Sequence, residues 1–129
     1  FPDVSLVVDH MGLVQPFHPP APEDGWAELP KLLALAEHEN VSVKISGAGT
    51  LARTPFPYAD IHAPVRRILE AFGLARCMWG TDWTRAVELL SYEQGVEAFR
   101  QGDWLSDSDR AALMGGNAQR IYSWSPGAA

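Results

Sequence analysis

Cysteine, long apolar runs and positive charge are all scarce in this sequence, and each shortage excludes a class of protein. The single cysteine, Cys77, allows no internal disulfide and no cysteine-based zinc cluster, and it suits a reducing compartment, so we expect a cytoplasmic protein. No apolar run approaches the roughly 18–20 residues of a membrane helix, so we expect no membrane partner. With 10 basic and 16 acidic residues the net charge is −6, which argues against a nucleic-acid partner.

We expect no secretion signal at the start of this chain. It begins Phe1-Pro2-Asp3, with neither an initiator Met nor a basic and apolar signal segment, so we expect it to begin inside a longer protein. What is present is the composition of a folded domain: 129 residues, of which 47% are apolar and 20% charged.

Short β-like runs alternate along the chain with amphipathic helical patterns. Apolar, β-branched runs predict strands near residues 4–9, 41–46 and 77–81, spaced by about 36 residues. Between and after them the apolar residues recur with a helical period, which predicts helices near 26–38, 59–72, 88–101 and 106–114 and a last turn at 117–122. A strand, a loop and a helix fit each interval, so the sequence predicts an α/β fold with a parallel sheet. A complete eight-unit barrel takes about 250 residues, roughly twice this length.

Local signals predict how two of these helices begin. Asp24 is a candidate cap for the helix near 26–38, in which Pro30 is tolerated only in the first turn. Ser106 followed by Asp109 resembles a capping box at the start of the helix near 106–114.

Polar side chains follow or end all three predicted strands. His10 comes after the first, Lys44 lies near the end of the second, and Asp82 follows the third. Because the carboxyl ends of parallel strands meet at one edge of a sheet, we expect these three side chains to converge. Structural roles are the alternatives for these residues. His10 can be an ordinary hydrogen-bonding residue, Lys44 a charged residue of an edge strand, and Asp82 a cap of the next turn.

Two proline- and glycine-rich connections, residues 13–25 and 47–58, follow the first and second strands. Loops of this length are uncommon unless they are functional or disordered, and barrels build their sites from loops at this end. Arg53 lies in the second loop, where simple solvent exposure is the alternative to a substrate contact.

Four motifs taken in order carry a resemblance: LVVDHMG, VSVKISG, FGLARCMWGTDW and NAQRIY. Together they resemble the amidohydrolase-related family of TIM-barrel hydrolases, on the branch that contains 2-pyrone-4,6-dicarboxylate lactonase and the sugar lactonases. The resemblance extends from Phe1 to Tyr122. It implies that residues 1–129 form the C-terminal portion of a (β/α)8 barrel, a partial domain without the first β/α units and their His-x-His pair.

The resemblance also implies roles for individual residues. His10 and Asp82 match catalytic positions of the family, and the same two side chains are the metal ligands if a metal is used. Arg53 resembles an arginine that binds a substrate carboxylate, and we place Lys44 beside it in the substrate site. The metal would be one divalent ion, zinc or manganese, although a metal-free enzyme is equally compatible with these residues.

The implied function is hydrolysis of a lactone, a cyclic ester, that carries carboxylates or sugar hydroxyls. This chemistry needs a water nucleophile, a base such as Asp82, and a group such as His10 that polarises the carbonyl or binds a metal. The alternatives are a metal-dependent decarboxylase of the same superfamily and a catalytically inactive truncated barrel. The expected partner is a small-molecule substrate, and the sequence does not indicate an oligomeric state.

Overall fold

A computed structural model describes residues 1–127. Its three strands, β1 (Leu6–Val8), β2 (Val41–Ser46) and β3 (Cys77–Gly80), form one parallel sheet in the order β1-β2-β3. Leu6 lies opposite Val41, and Ser46 lies opposite Gly80. The predicted parallel α/β architecture is therefore confirmed within these residues.

Short helices connect and cover the strands. The α-helices are α1 (Leu29–Ala34), α2 (His62–Phe72), α3 (Trp83–Ala86), α4 (Tyr92–Arg100), α5 (Asp107–Ala111) and α6 (Asn117–Ile121). Single 3-10 turns occupy Asp9–Gly12, Leu35–Glu37, Ala48–Leu51, Ala59–Ile61 and Leu74–Arg76, and a π-helical turn occupies Ala112–Gly116. Among residues 1–127, none of the helices has the length and apolar character needed to cross a bilayer.

Several predicted boundaries differ from the observed ones. The strand near 4–9 ends at Val8, because the backbone turns sharply through Asp9–Gly12. The helix near 26–38 begins only at Leu29, with Pro30 in its first turn as expected, and no side chain caps it, so the capping role predicted for Asp24 is not found. The helix near 88–101 begins at Tyr92.

Capping explains where two of the later helices start. Ser91 and Gln94 form a reciprocal capping box, which fixes the first turn of α4. Ser106 Oγ accepts a hydrogen bond from the Asp109 N–H at 3.1 Å, so this predicted cap is present in its one-sided form. The four-residue α3 was not predicted.

The two faces of β2 have different environments. Val41, Val43 and Ile45 form its helix-covered face, and they are 4%, 0% and 0% exposed. They belong to one apolar core with residues of α2, such as Ile68. Ser42, Lys44 and Ser46 alternate with them and form the inner face, where Ser42 and Lys44 are only half-buried.

Candidate active site

The carboxyl ends of the three strands bring a histidine, a serine and an aspartate together. His10 Nδ1 lies 2.7 Å from the Oγ of Ser46, the last residue of β2, and 3.2 Å from Asp82 Oδ2. His10 and Asp82 follow β1 and β3, respectively, by two residues. The predicted convergence of these two side chains is confirmed. We call His10, Ser46 and Asp82 the strand-end cluster.

Sharp backbone turns aim both ionisable members of the strand-end cluster. His10 (φ 51°, ψ 34°) and Asp82 (φ 49°, ψ 43°) adopt left-handed conformations, which are uncommon for residues other than glycine. Such strained conformations are found where the surrounding structure holds a side chain in a functional position. The turns also explain why β1 and β3 end before the two residues, so strand alternation does not govern where their side chains point.

The two contacts of His10 share one ring nitrogen, Nδ1, and the charge of Asp82 bears on which nitrogen carries the proton. A lone pair on Nδ1 would face the Asp82 carboxylate at 3.2 Å, so electrostatics favours the tautomer with the proton on Nδ1. Nε2, which makes no hydrogen bond to residues 1–127, then carries the free lone pair. A serine-nucleophile triad is excluded, because there the serine and the carboxylate contact opposite nitrogens.

The Asp82 carboxylate is largely enclosed. Its side chain is 11% exposed, and Oδ2 has no aligned hydrogen-bond donor among the residues that the structure describes. Two groups approach Oδ2 instead, His10 Nδ1 at 3.2 Å and Arg85 Nε at 3.8 Å. Although Asp82 stands at the N-cap of α3, its side chain makes no capping bond. The alternative in which it only caps the turn is therefore wrong.

Lys44 lies beside the cluster but is paired with Asp9. Its Nζ is 2.5 Å from Asp9 Oδ1. The hydrogen bond with Lys44 lowers the pKa of Asp9, and the same bond raises the pKa of Lys44 against the effect of burial, with Asp82 adding to the rise. Lys44 therefore stays cationic on the inner face. Because β2 is the central strand of the described sheet, the edge-strand interpretation of Lys44 is wrong.

Arg53 lies away from the strand-end cluster and bridges the two long loops. Its Nη1 donates to the Glu23 carbonyl oxygen at 3.2 Å, and its backbone N–H donates to Asp60 Oδ2 at 2.7 Å. The guanidinium lines a cleft of about 510 Å³ together with residues 20–23 and 52. It makes no hydrogen bond to His10, Ser46 or Asp82 within residues 1–127, so its contact with a substrate stays a prediction.

Two residues next to the cluster were not predicted. Gln15 Nε2 donates to the Ser46 carbonyl oxygen at 2.7 Å, and Arg85 Nη1 donates to the Gln15 carbonyl oxygen at 3.0 Å. No motif marks Gln15. The only sequence signal for Arg85 is its position three residues after Asp82, at the start of a helix too short to show periodicity.

The residues of the cluster do not form a catalytic zinc site by themselves. A catalytic zinc ion usually has three protein ligands, whereas His10 Nε2 and Asp82 Oδ2 offer two. No group of three His, Cys, Asp or Glu residues with metal-binding geometry occurs among residues 1–127. The metal-ligand role of His10 and Asp82 therefore stays a prediction.

Comparison with known proteins assigns the family. The family model described as Amidohydrolase matches residues 1–124, and the chain belongs to this family. It is similar to L-fucono-1,5-lactonase of Burkholderia ambifaria, with 29% identity over 133 residues that cover 95% of this chain and 42% of that protein.

Solved structures of the same family share the fold. A zinc-bound amidohydrolase from Burkholderia multivorans superposes with a TM-score of 0.74 at 30% identity, covering 95% of this chain and 45% of that one. A Pseudomonas putida protein named as a 2-pyrone-4,6-dicarboxylic acid hydrolase gives a TM-score of 0.66 at 27% identity, covering 94% and 44%. The three strands and their helices are thus part of a TIM-barrel fold, and the chain spans less than half the length of these relatives.

Proposed function

We propose that the strand-end cluster is the reacting site of a hydrolase that opens a lactone ring. The observation that carries the proposal is the 3.2 Å contact between His10 Nδ1 and Asp82 Oδ2 at the carboxyl edge of the sheet. A carboxylate and an imidazole held in contact supply the proton transfers that ester hydrolysis needs. Support also comes from the relatives, one of which is named as a lactonase and another as a hydrolase of a pyrone dicarboxylate.

In the proposed reaction Asp82 serves as the general base. A water oxygen attacks the lactone carbonyl carbon while the carboxylate takes the water's proton. The ring C–O bond then breaks, its electron pair stays on the ring oxygen, and a proton returns to that oxygen to give the open hydroxy acid. His10 Nε2 is the ring atom available for proton exchange, since Nδ1 is occupied by Ser46 and Asp82.

The basic side chains suit a substrate that carries a carboxylate. Lys44 is held cationic on the inner face, and Arg53 lines the loop cleft. Arginine binds carboxylates through paired hydrogen bonds. Within residues 1–127 the Arg53 guanidinium is hydrogen-bonded through Nη1, to the Glu23 carbonyl, which leaves its other edge for a substrate. A sugar lactone would require hydroxyl contacts instead, so replacing Arg53 should discriminate between the two substrate classes.

We further propose that residues 1–129 act as one portion of a barrel. Ser42 and Lys44, on the inner face of β2, are only half-buried within residues 1–127. In a barrel, side chains from the opposite strands fill this space in layers. The 129-residue chain alone should therefore show no turnover.

The test is hydrolysis by the complete gene product, followed by acid release at constant pH. The panel contains L-fucono-1,5-lactone and related sugar lactones, 2-pyrone-4,6-dicarboxylate, and an aromatic carboxylic acid whose decarboxylation is followed in parallel. We expect Asp82→Asn to lower kcat by about 10²–10⁴-fold on the active lactone. The matched control is Asp107→Asn, because Asp107 is fully exposed on α5. Turnover of no lactone, or CO₂ release instead, would contradict the proposal.

A further inference from the structure

Five residues form a closed ring of polar contacts that joins the ends of all three strands. Starting from the strand-end cluster, Asp82 Oδ2 contacts His10 Nδ1 at 3.2 Å, and His10 Nδ1 contacts Ser46 Oγ at 2.7 Å. The Ser46 carbonyl accepts from Gln15 Nε2 at 2.7 Å, and the Gln15 carbonyl accepts from Arg85 Nη1 at 3.0 Å. Arg85 Nε closes the ring 3.8 Å from Asp82 Oδ2.

Gln15 is fixed in this ring by tight packing. It is 3% exposed although it lies in a long loop, and its side chain rests directly against Gly47. Gly47 has a φ of +67°, and a Cβ there would lie 2.3 Å from Gln15 Oε1. The glycine therefore serves two purposes, since it permits the left-handed turn after β2 and makes room for the glutamine.

Arg85 is held from three sides. Its Nη1 is hydrogen-bonded to the Gln15 carbonyl, its Cζ lies 4.1 Å from the centroid of the Phe17 ring, and its Nε faces Asp82. The cation–π contact and the hydrogen bond both orient the planar guanidinium. Its side chain is 32% exposed, whereas the Asp82 side chain that it approaches is 11% exposed.

The Asp82 carboxylate is largely enclosed, so a cationic neighbour such as Arg85 stabilises its negative charge. Its Oδ2 has no aligned hydrogen-bond donor within residues 1–127, and the groups in direct contact with it are His10 and Arg85, with the Lys44 charge acting at longer range. Arg85 approaches from α3, and His10 approaches from the loop after β1. The same carboxylate oxygen therefore lies within contact distance of groups from two different elements.

We propose that Arg85, braced by Gln15 and Phe17, is a positioning residue that holds the Asp82 carboxylate against His10 Nδ1. The inference rests on the proposed function only in that Asp82 and His10 are taken as the reacting pair. Arg85 acts through Asp82 and does not touch the substrate. Its consequence is chemical: the carboxylate that it holds keeps the proton of neutral His10 on Nδ1 and leaves the lone pair on Nε2.

The tautomer of His10 is the signature that tests this role. Long-range ¹H–¹⁵N spectra of the complete gene product, labelled at histidine nitrogen, report which ring nitrogen carries the proton. The spectra are recorded at about pH 8, above the ordinary pKa range of imidazole, and the His10 signals are assigned by their loss in His10→Gln. In the wild-type protein we expect the Nδ1–H form to predominate.

Arg85→Gln removes the positive charge but leaves an amide that can still donate to the Gln15 carbonyl. We expect the ratio of the Nδ1–H to the Nε2–H form to fall by about threefold, the size expected for a partly exposed charge contact. Arg85→Lys, which keeps the charge, should retain most of the wild-type ratio. Arg100→Gln is the matched control, since Arg100 is exposed and pairs with Glu97 on α4; it should change nothing.

An unchanged ratio of the two His10 tautomers in Arg85→Gln would overturn the proposal. An arginine that only holds the loop in place would change the signals of loop residues without changing this ratio. If Arg85→Gln does not fold, Phe17→Leu decides instead: it removes the stacking that aims the guanidinium and should shift the ratio in the same direction by less, whereas no shift would overturn the role. The spectra need no turnover, so a failure of the lactone assignment remains distinguishable from a failure of this inference.

Discussion

Val43 and Lys44 are neighbours in β2 but lie in contrasting environments. Val43 is fully buried in the core beneath the helices, whereas Lys44 points to the opposite face and pairs with the 60%-exposed Asp9. Within residues 1–127, the buried apolar side chains of the helix-covered face belong to one core with those of α1 and α2. The inner face carries polar groups and leads into the strand-end cluster. One face of the strand thus supports the fold, and the other leads to the residues of the proposed site.

The largest effect should come from the helix-covered face. Ile45→Ala removes a fully buried side chain from the core, and we expect it to lower the free energy of unfolding by about 2–5 kcal/mol. Ser42→Ala, three residues earlier on the inner face, should change it by less than about 0.5 kcal/mol. Urea denaturation of the 129-residue chain measures both, and equal losses at the two positions would contradict the division between the faces.

A smaller effect on the free energy of unfolding is expected at Gly47, which follows β2 next to the strand-end cluster. Gly47→Ala introduces a side chain at positive φ and pushes against Gln15, whereas Gly12→Ala has a similar φ of +62° and only an ordinary 3.4 Å contact. Both substitutions should therefore carry the same backbone cost of about 1–2 kcal/mol. Gly47→Ala should cost about 1 kcal/mol more, because it also disturbs the buried bond from Gln15 to Ser46. A difference of zero would show that Gln15 moves freely.

His62, the first residue of α2, is a titratable group whose effect on stability depends on pH. Burial, together with the charge of Arg66, lowers the pKa of His62 below its ordinary value of 6.5, and its ring stacks on Trp104 at 4.4 Å. The unfolded chain therefore takes up the proton first, and the stability from neutral His62 is present above pH 6.5 and lost as the pH falls through the lower folded pKa.

The change in melting temperature between pH 7 and pH 5 tests this. We expect the decrease to be smaller in His62→Gln than in the wild-type chain, by about a few degrees at most. His38→Gln is the control, because His38 is more than half exposed. An identical decrease in the wild type and His62→Gln would refute the prediction.

The smallest effect on the free energy of unfolding should come from Lys44, on the inner face of β2. Lys44→Met breaks the ion pair with Asp9, and because Asp9 is mostly exposed we expect a change in unfolding free energy of no more than about 0.5–1 kcal/mol. The same substitution should raise KM for a carboxylated lactone in the complete gene product while leaving kcat nearly unchanged. A loss of stability as large as that of Ile45→Ala would place Lys44 in the core.

The sequence predicted the sheet well because its evidence is local. The β-branched residues of β2 and the spacing of the strands predicted a parallel sheet. The polar residues after β1 and β3 identified His10 and Asp82 as site candidates. Helix α3 escaped prediction because its four residues form no periodic pattern; it continues directly from the left-handed turn at Asp82. The end of β1 was misplaced because the left-handed turn that follows it has no sequence signal.

The rest of the site depends on contacts between distant residues. Gln15 reaches Ser46 across 31 positions, and Arg85 reaches Gln15 across 70. Neither residue belongs to a motif, and both acquire their place only when the three strand ends meet. Arg53 shows the opposite case, because the resemblance names a role for it while its contacts in this chain are with Glu23 and Asp60.

The central claim is that His10 and Asp82 work as one unit, and a double-mutant comparison of kcat/KM tests it most directly. The variants His10→Gln, Asp82→Asn and the double substitution are made in the complete gene product and assayed on the lactone that it hydrolyses. We expect each single variant to lose about 10²–10⁴-fold, and the double variant to lose no more than the worse single one, since residues that act together are not additive. Losses that multiply in the double variant would contradict the account and assign the two residues independent roles.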